Sequence, residues 1–292
     1  MNYLYSETPT TKLYLGHVTE VLKTLDSESV NCVVTSPPYY GLRDYCMDKQ
    51  IGFEATPKLY VDSIVEIFEQ IKRVLKKDGT VWLNLGDTYV DSKLETSKIK
   101  LKRKNLIGLP WKVAFALQEN DWYLRQDIIW SKPFNMPESV KDRCTKSHEY
   151  IFLLAKSEKY YYNADAIKEL ATSQDNYIRN RDNPNHKFNN TPGRTKMSGL
   201  KDNKYEYRNK RSVWVIQPKP YKEAHFAVFP EELPMNCIKA GCPPDGVILD
   251  PFAGSGTTLK VAQKLNRKSI GIDINKKYLD LIVNRTQQQP LL

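Results

Sequence analysis

The sequence has no cysteine pair with the spacing of a zinc or redox site. Its five cysteines stand at 32, 46, 144, 237 and 242, and no CxxC occurs. Neither a disulfide framework nor a structural zinc centre is supported, and a reducing compartment is the default. Long apolar runs are missing too, and none approaches the ~20 residues that span a bilayer. The opening MNYLYSETPTTKL lacks a basic region followed by a hydrophobic stretch, so no secretory signal is expected. His148-Glu149 has no second histidine four residues on, which removes a helical zinc-protease pattern. That pair reads as structural, and no metal is expected.

What is present is a basic chain. Formal net charge is +10 over 292 residues, with a pI near 9.1 and mean hydropathy of -0.57. The length suits one large α/β domain with an insertion, or one domain plus a smaller one. The positive balance fits a polyanionic partner such as nucleic acid, and equally a lysine-rich protein from an AT-rich genome. Its distribution therefore matters.

The run Val30-Asn31-Cys32-Val33-Val34 reads as a buried strand. Over 59–77, Val61, Ile64, Val65, Phe68, Ile71 and Leu75 fall on one helical face, and Asp78-Gly79 stops that helix before a strand over 80–85. Residues 91–105 are basic and polar and read as a loop. Pro110 opens a helix to about Glu119, and strands are expected at 122–130 and 149–155. From Arg179 to Arg211 ten Lys or Arg face three acids, in an Asn-rich stretch interleaved with Tyr177, Phe188, Tyr205, Tyr207 and Trp214 nearby. It reads either as a linker or as a basic insertion that docks on phosphates and base edges. After that the α/β rhythm returns, with strands at 247–250 and 269–273 and helices from Thr258 to about Asn266 and over 275–288.

Two stretches carry chemistry. DPFAGSGTT (250–258) is a strand end, a glycine loop and a helix start. Gly254 and Gly256 let the backbone turn tightly and approach a ligand. Asp273 ends the next strand 23 residues after Asp250 and suits ribose hydroxyls. The loop lacks the third glycine of GxGxxG and any following Gly-Lys-Ser/Thr, which points to a nucleoside cofactor without phosphates. The other stretch is TSPPYYGL (35–42). Pro37 and Pro38 fix their own φ and force an extended exit from the strand. If the two strands are neighbours in one sheet, the stiff loop projects toward the cofactor.

TSPPYYGL followed much later by DPFAGSGTT resembles the permuted, or β-class, DNA amino-methyltransferases that use S-adenosylmethionine. VLKKDGTVWLNLGD (74–87), MPESVKDRCTKSHEYIFLLAKS (136–157) and HFAVFPEELPMNCIKAGCP (225–243) add to the likeness. The resemblance implies a Rossmann-like α/β sheet with circularly permuted motif order and a basic target-recognition insertion. The chain would divide into a catalytic part (1–163), a target-recognition region (164–213) and a cofactor-binding part (214–292) of the same domain. Asp250, Pro251, Phe252, Gly254, Ser255, Gly256, Thr257 and Asp273 would line the S-adenosylmethionine site. The family's acid in the N-terminal turn is replaced by His17 in Leu15-Gly16-His17, which leaves a cofactor contact there open.

An exocyclic amine is a poor nucleophile because its lone pair is delocalised into the ring. Acceptors held off the ring plane localise that pair. The Pro37 carbonyl and the Ser36 hydroxyl supply them, Pro38 stiffens the path, and Tyr39 stacks on the extruded base. A ring-carbon transferase would need a cysteine nucleophile, and neither Cys32, Cys46 nor Cys242 lies in the motif. Serine at 36 is the residue that cytosine-specific relatives mostly carry, where adenine-specific ones mostly have an acid or asparagine. The expected activity is therefore N4-cytosine methylation of double-stranded DNA, protecting it from a cognate restriction enzyme. N6-adenine methylation is the alternative, methylation of RNA or protein the nearest rival, and a non-catalytic nucleic-acid-binding protein the more remote one. A cytoplasmic setting in a prokaryote or phage, and a homodimer as one oligomeric option, complete the expectations.

Overall fold

A computed structural model describes residues 2–42, 47, 50–90, 101–135, 137–172, 206–218 and 229–287. Cys46, most of the 91–105 loop and most of the basic stretch at 179–211, with Tyr177, Phe188 and Tyr205, lie outside the described residues. The chain divides into two compact units. One runs to Asn163 and resumes at Ser212; the other is Ala164–Arg211.

In chain order the strands are β1 (Leu4–Glu7), β2 (Thr11–Leu15), β3 (Val30–Thr35), β4 (Leu75–Leu85), β5 (Tyr123–Ser131), β6 (His148–Ala155), β7 (Glu169–Leu170), β8 (Tyr207–Arg208), β9 (Val213–Val215), β10 (Val247–Asp250) and β11 (Lys268–Asp273). The helices are α1 (Val18–Thr24), α2 (Pro57–Val74), α3 (Leu109–Glu119), α4 (Glu232–Gly241), α5 (Thr257–Lys264) and α6 (Lys276–Gln287).

The larger unit is built on a nine-stranded sheet in the order β1-β2-β11-β10-β3-β4-β6-β5-β9. The run β2-β11-β10-β3-β4 is parallel, and β6 enters antiparallel between β4 and β5. Every residue of β3 is buried, as a central parallel strand covered on both faces requires. Strand β10 lies directly beside β3, pairing Ile248 with Cys32 and Leu249 with Val33. The strands that carry the two sequence motifs are thus hydrogen-bonded neighbours. From β10 the chain winds outward to β11, and from β3 the other way to β4, so their boundary is the switch point where open α/β sheets bind ligands.

Helix α2 begins where Thr56 accepts the Leu59 N–H and Pro57 takes the first turn. Its face buries Tyr60, Val61, Ile64, Ile67, Phe68, Ile71 and Val74, each contributing about 1.5–3 kcal/mol over exposure. The helix stops earlier than its apolar spacing predicts. Leu75 takes extended backbone and pairs with Val30, so β4 starts at once, and the register then jumps to Cys32–Thr80. Burying Leu75 in the sheet outweighs another helical turn. Residues 78–79 belong to the irregular stretch between Leu75 and Thr80 inside the strand and are not the helix stop.

Trp214, grouped by sequence with the basic stretch, is a core residue 4% exposed on β9, its ring 6.2 Å from that of Trp82. In the smaller unit, β7 and β8 form an antiparallel pair, and Arg208 and Arg211 both reach Glu169. Among the described residues, no helix is long and apolar enough to cross a membrane.

Candidate active site

The two loops at the switch point are tied to each other. The Thr35 hydroxyl, at the end of β3, donates to Asp250 Oδ1 at 2.8 Å, and the Thr258 hydroxyl reaches the Val34 carbonyl at 3.4 Å. The N–H of Phe252 donates to the same Asp250 oxygen at 3.2 Å. Asp250 is 2% exposed. Burial pushes its carboxyl up to about 6 against these hydrogen bonds, which favour the ionised form.

The glycine loop folds over the end of β11. Asp273 Oδ2 accepts the Gly254 N–H at 2.9 Å, and Oδ1 accepts the Asn275 N–H at 2.7 Å. Burial raises this carboxyl to about 6 as well, with Asp250 as a further like charge. Gly254 and Gly256 both sit in the left-handed region, with φ of 49° and 76°. A Cβ on Gly256 would stand 2.6 Å from Ile282 Cγ1, whereas one on Gly254 would meet only the Phe252 carbonyl at 3.9 Å. Gly256 is therefore demanded by packing on α6, and Gly254 leaves open space at the mouth of the loop. Pro251, Ser255 and Thr257 are buried beneath it, with the Ser255 and Thr257 hydroxyls 3.3 Å apart, while Phe252 is half-buried. Two acids whose ionisation burial disfavours, beside a loop open at Gly254, match a cationic nucleoside, which would restore the ionised state. The Leu15-Gly16-His17 turn adjoins them, as the Gly16 N–H donates to the Asp273 carbonyl at 3.1 Å.

The proline loop is braced from below. Pro37 is buried, and the Tyr60 hydroxyl of α2 donates to the Pro38 carbonyl at 3.0 Å. Burial pushes Tyr60 well up, so it stays a donor. Tyr39 lies half-buried, its ring edge against Gly86, where a Cβ would approach within 2.6 Å. Only glycine fits there.

Around Tyr39 the structure assembles three residues that sequence reasoning did not connect. Asn84, the last residue but one of β4 and set in its buried half, points its amide nitrogen at the Tyr39 oxygen (2.7 Å), Glu149 Oε2 (2.8 Å) and Ser36 Oγ (3.3 Å). The Tyr39 hydroxyl donates to Glu149 Oε2 at 2.8 Å, and Ser36 Oγ donates to the Tyr39 oxygen at 3.3 Å. Lys132 pairs with Glu149 Oε1 and lies over the Trp130 ring. Burial would raise the Glu149 carboxyl, but the Lys132 ammonium and the bonds from Asn84 and Tyr39 prevail and hold it below its ordinary value. Tyr39 moves the other way, pushed well up by burial and by Glu149. Glu149 had read as a structural partner of His148. The available signals were a lone polar residue inside TVWLNL and an acid at the head of an apolar strand.

A family model described as DNA methylase matches residues 30–284. The type II methyltransferase M.Cfr9I of Citrobacter freundii is 44% identical over 94% of this chain and 87% of its own length. M.SmaI of Serratia marcescens is 44% identical over 94% and 90%. Among solved structures, PvuII DNA methyltransferase (cytosine-N4-specific) superposes with a TM-score of 0.73 at 19% identity, covering 100% of this chain and 91% of that one. The DNA modification methylase TTHA0409 of Thermus thermophilus, solved in complex with S-adenosyl-L-methionine, gives 0.60 at 23% identity, with 94% of each chain covered.

Proposed function

The chain belongs to the DNA methylase family, the permuted amino-methyltransferases of restriction–modification systems that use S-adenosylmethionine, and on that premise we propose that it methylates the exocyclic N4 of cytosine at a specific site in duplex DNA. The observation that carries the base assignment is the convergence of Ser36, Tyr39 and Glu149 on the Asn84 amide nitrogen. A carboxylate at position 36 would share that nitrogen with the buried Glu149 carboxylate, and two anions so placed repel. A neutral serine fits beside Glu149, and serine is the residue that cytosine-specific members of the family mostly carry. The cytosine-N4-specific PvuII enzyme has the same fold.

S-adenosylmethionine supplies the methyl group as an electrophile. In this reading Asp250, Phe252, Gly254, Gly256 and Asp273 hold it, with Pro251, Ser255 and Thr257 shaping the loop. Ser36 and the Pro37 carbonyl accept the amine hydrogens and localise its lone pair, and Pro38, braced by Tyr60, keeps those acceptors aimed. Tyr39 packs on the base, which must leave the helix to reach the pocket. The stretch 164–213 selects the target site through its basic charge, and the enzyme acts in the cytoplasm, where the DNA is.

Transfer of tritiated methyl to unmethylated duplex DNA, followed by digestion and nucleoside chromatography, tests the assignment. Label in N4-methylcytosine is expected. Label confined to N6-methyladenine would refute the serine argument and leave the amino-methyltransferase family intact.

A further inference from the structure

Ser36, Tyr39, Asn84, Glu149 and Lys132 form a chain with a definite direction. At its inner end Glu149 is 15% exposed in its side chain and is ion-paired with Lys132. An ionised carboxylate only accepts hydrogen bonds. The Tyr39 hydroxyl must therefore direct its proton inward, to Glu149 Oε2 at 2.8 Å. An amide nitrogen has two hydrogens. The two short contacts of Asn84, 2.7 Å to Tyr39 and 2.8 Å to Glu149, use both. Turning that amide over would set its oxygen against the carboxylate, so the orientation is set by charge. The Tyr39 oxygen, its own proton committed to Glu149, then accepts from Asn84 and from Ser36, whose hydroxyl lies 3.3 Å away. The Ser36 proton consequently also points inward, and the Ser36 oxygen faces the pocket with lone pairs only.

We propose that Glu149, anchored by Lys132, is the positioning residue that fixes the hydrogen-bond polarity of Ser36, so that the pocket takes an amine and rejects a carbonyl at the same ring position. The inference rests on Ser36 being the group that meets the target base. It deepens that reading, because amine and carbonyl are what distinguish cytosine from uracil at C4 and adenine from hypoxanthine at C6. A free serine hydroxyl rotates and donates to a carbonyl as readily as it accepts from an amine. One whose proton is drawn inward cannot.

Two variants interrupt the chain at different links. Glu149→Gln keeps the shape but brings an amide that donates to the Tyr39 oxygen, which frees the Tyr39 proton to turn toward Ser36. Tyr39→Phe removes the link between Ser36 and Glu149 while keeping the ring. Nucleoside analysis and sequencing of methylated DNA first identify the target base and its position. Competitive binding then compares a duplex with cytosine there against one with uracil, or adenine against hypoxanthine if the label lies in the purine. That first step exposes an error in the base assignment without touching the polarity question. The cost of extruding each base belongs to the DNA and cancels between enzyme forms. The amine-over-carbonyl preference should fall at least threefold in Glu149→Gln and in Tyr39→Phe relative to the unaltered enzyme. In both, kcat should drop while S-adenosylmethionine binding stays the same. A preference that stays within threefold in a folded variant, whatever happens to kcat, overturns the proposal.

Discussion

Replacing Asp250 by asparagine should stabilise the cofactor-free protein at neutral pH, and do so in a pH-dependent way. Asp250 is 2% exposed, and its carboxyl is raised from 3.8 to about 6. Below about pH 3.8 both the native and the unfolded chain hold this proton. Between 3.8 and 6 the unfolded chain releases it and the native one keeps it, so stability falls as pH rises. Above 6 the loss is complete and constant. The shift of about 2 units corresponds to about 3 kcal/mol at pH 8, of which roughly half has been recovered at pH 5. Asparagine keeps the local bonds. Its oxygen accepts from Thr35 and from the Phe252 N–H, and its amide donates to Thr258, whose own proton goes to the Val34 carbonyl. Urea denaturation of both proteins at pH 5, 6, 7 and 8 reads the difference, because distant titrating groups cancel and Asp273, relieved of a like charge, shifts the gap in the same direction. The variant should be the more stable by up to about 3 kcal/mol at pH 8, with the gap closing by about half at pH 5. A gap that does not change with pH, or a variant less stable at pH 8, would refute the burial argument.

Asp273→Ala should weaken S-adenosylmethionine binding by about 1–3 kcal/mol in calorimetry, since a charge-assisted bond is lost; unchanged affinity would remove it from the ribose. Because Asp250 and Asp273 both ionise near 6, affinity for the cationic cofactor should fall as pH drops from 7 to 5, and a flat profile would show that neither charge is used. Gly254→Ala should cost about 1–2 kcal/mol of folding stability for its left-handed backbone, and Gly256→Ala clearly more because its Cβ meets Ile282 at 2.6 Å; equal midpoints in denaturation would contradict that ranking. Neutralising lysines and arginines within 164–213 should weaken DNA binding at all sequences and flatten its salt dependence, whereas retention of the salt slope would move the phosphate contacts elsewhere.

Residues whose meaning is local were legible before the fold was known. A run such as 30–34, apolar but for Asn31, has few alternatives to a central strand, and a loop of small residues between a strand and a helix carries its own geometry. Pro37 and Pro38 likewise state their backbone path. The edge strands β1 and β9, and β2 beside β1, were not legible, since each is short and partly exposed and takes its conformation from its neighbours. The boundary between α2 and β4 was missed because Leu75 continues the helical spacing, and only the pairing with Val30 shows where it goes. Asn84, Lys132 and Glu149 are the instructive case. They lie 45 to 110 residues from Tyr39 along the chain, and a polar residue in a strand has the same letter whether it is a defect or an anchor. Only the antiparallel insertion of β6 between β4 and β5 brings Asn84 and Glu149 to one hydroxyl, with Lys132 paired to Glu149 behind it.

The adjacency of β3 and β10 has a consequence for how the enzyme comes into being. These central strands are paired although more than 200 residues separate them, as the Thr35–Asp250 bond, 215 positions apart, makes plain. A ribosome delivers the glycine loop 215 residues after the proline loop. Until β10 and β11 emerge, β3 and β2 lack the two strands that lie between them. Folding must wait for a contact of very long sequence separation, which is intrinsically slow and leaves apolar edges open in the meantime. A partly synthesised chain therefore carries the proline loop without the glycine loop, and the crevice between them forms only once β10 has paired with β3.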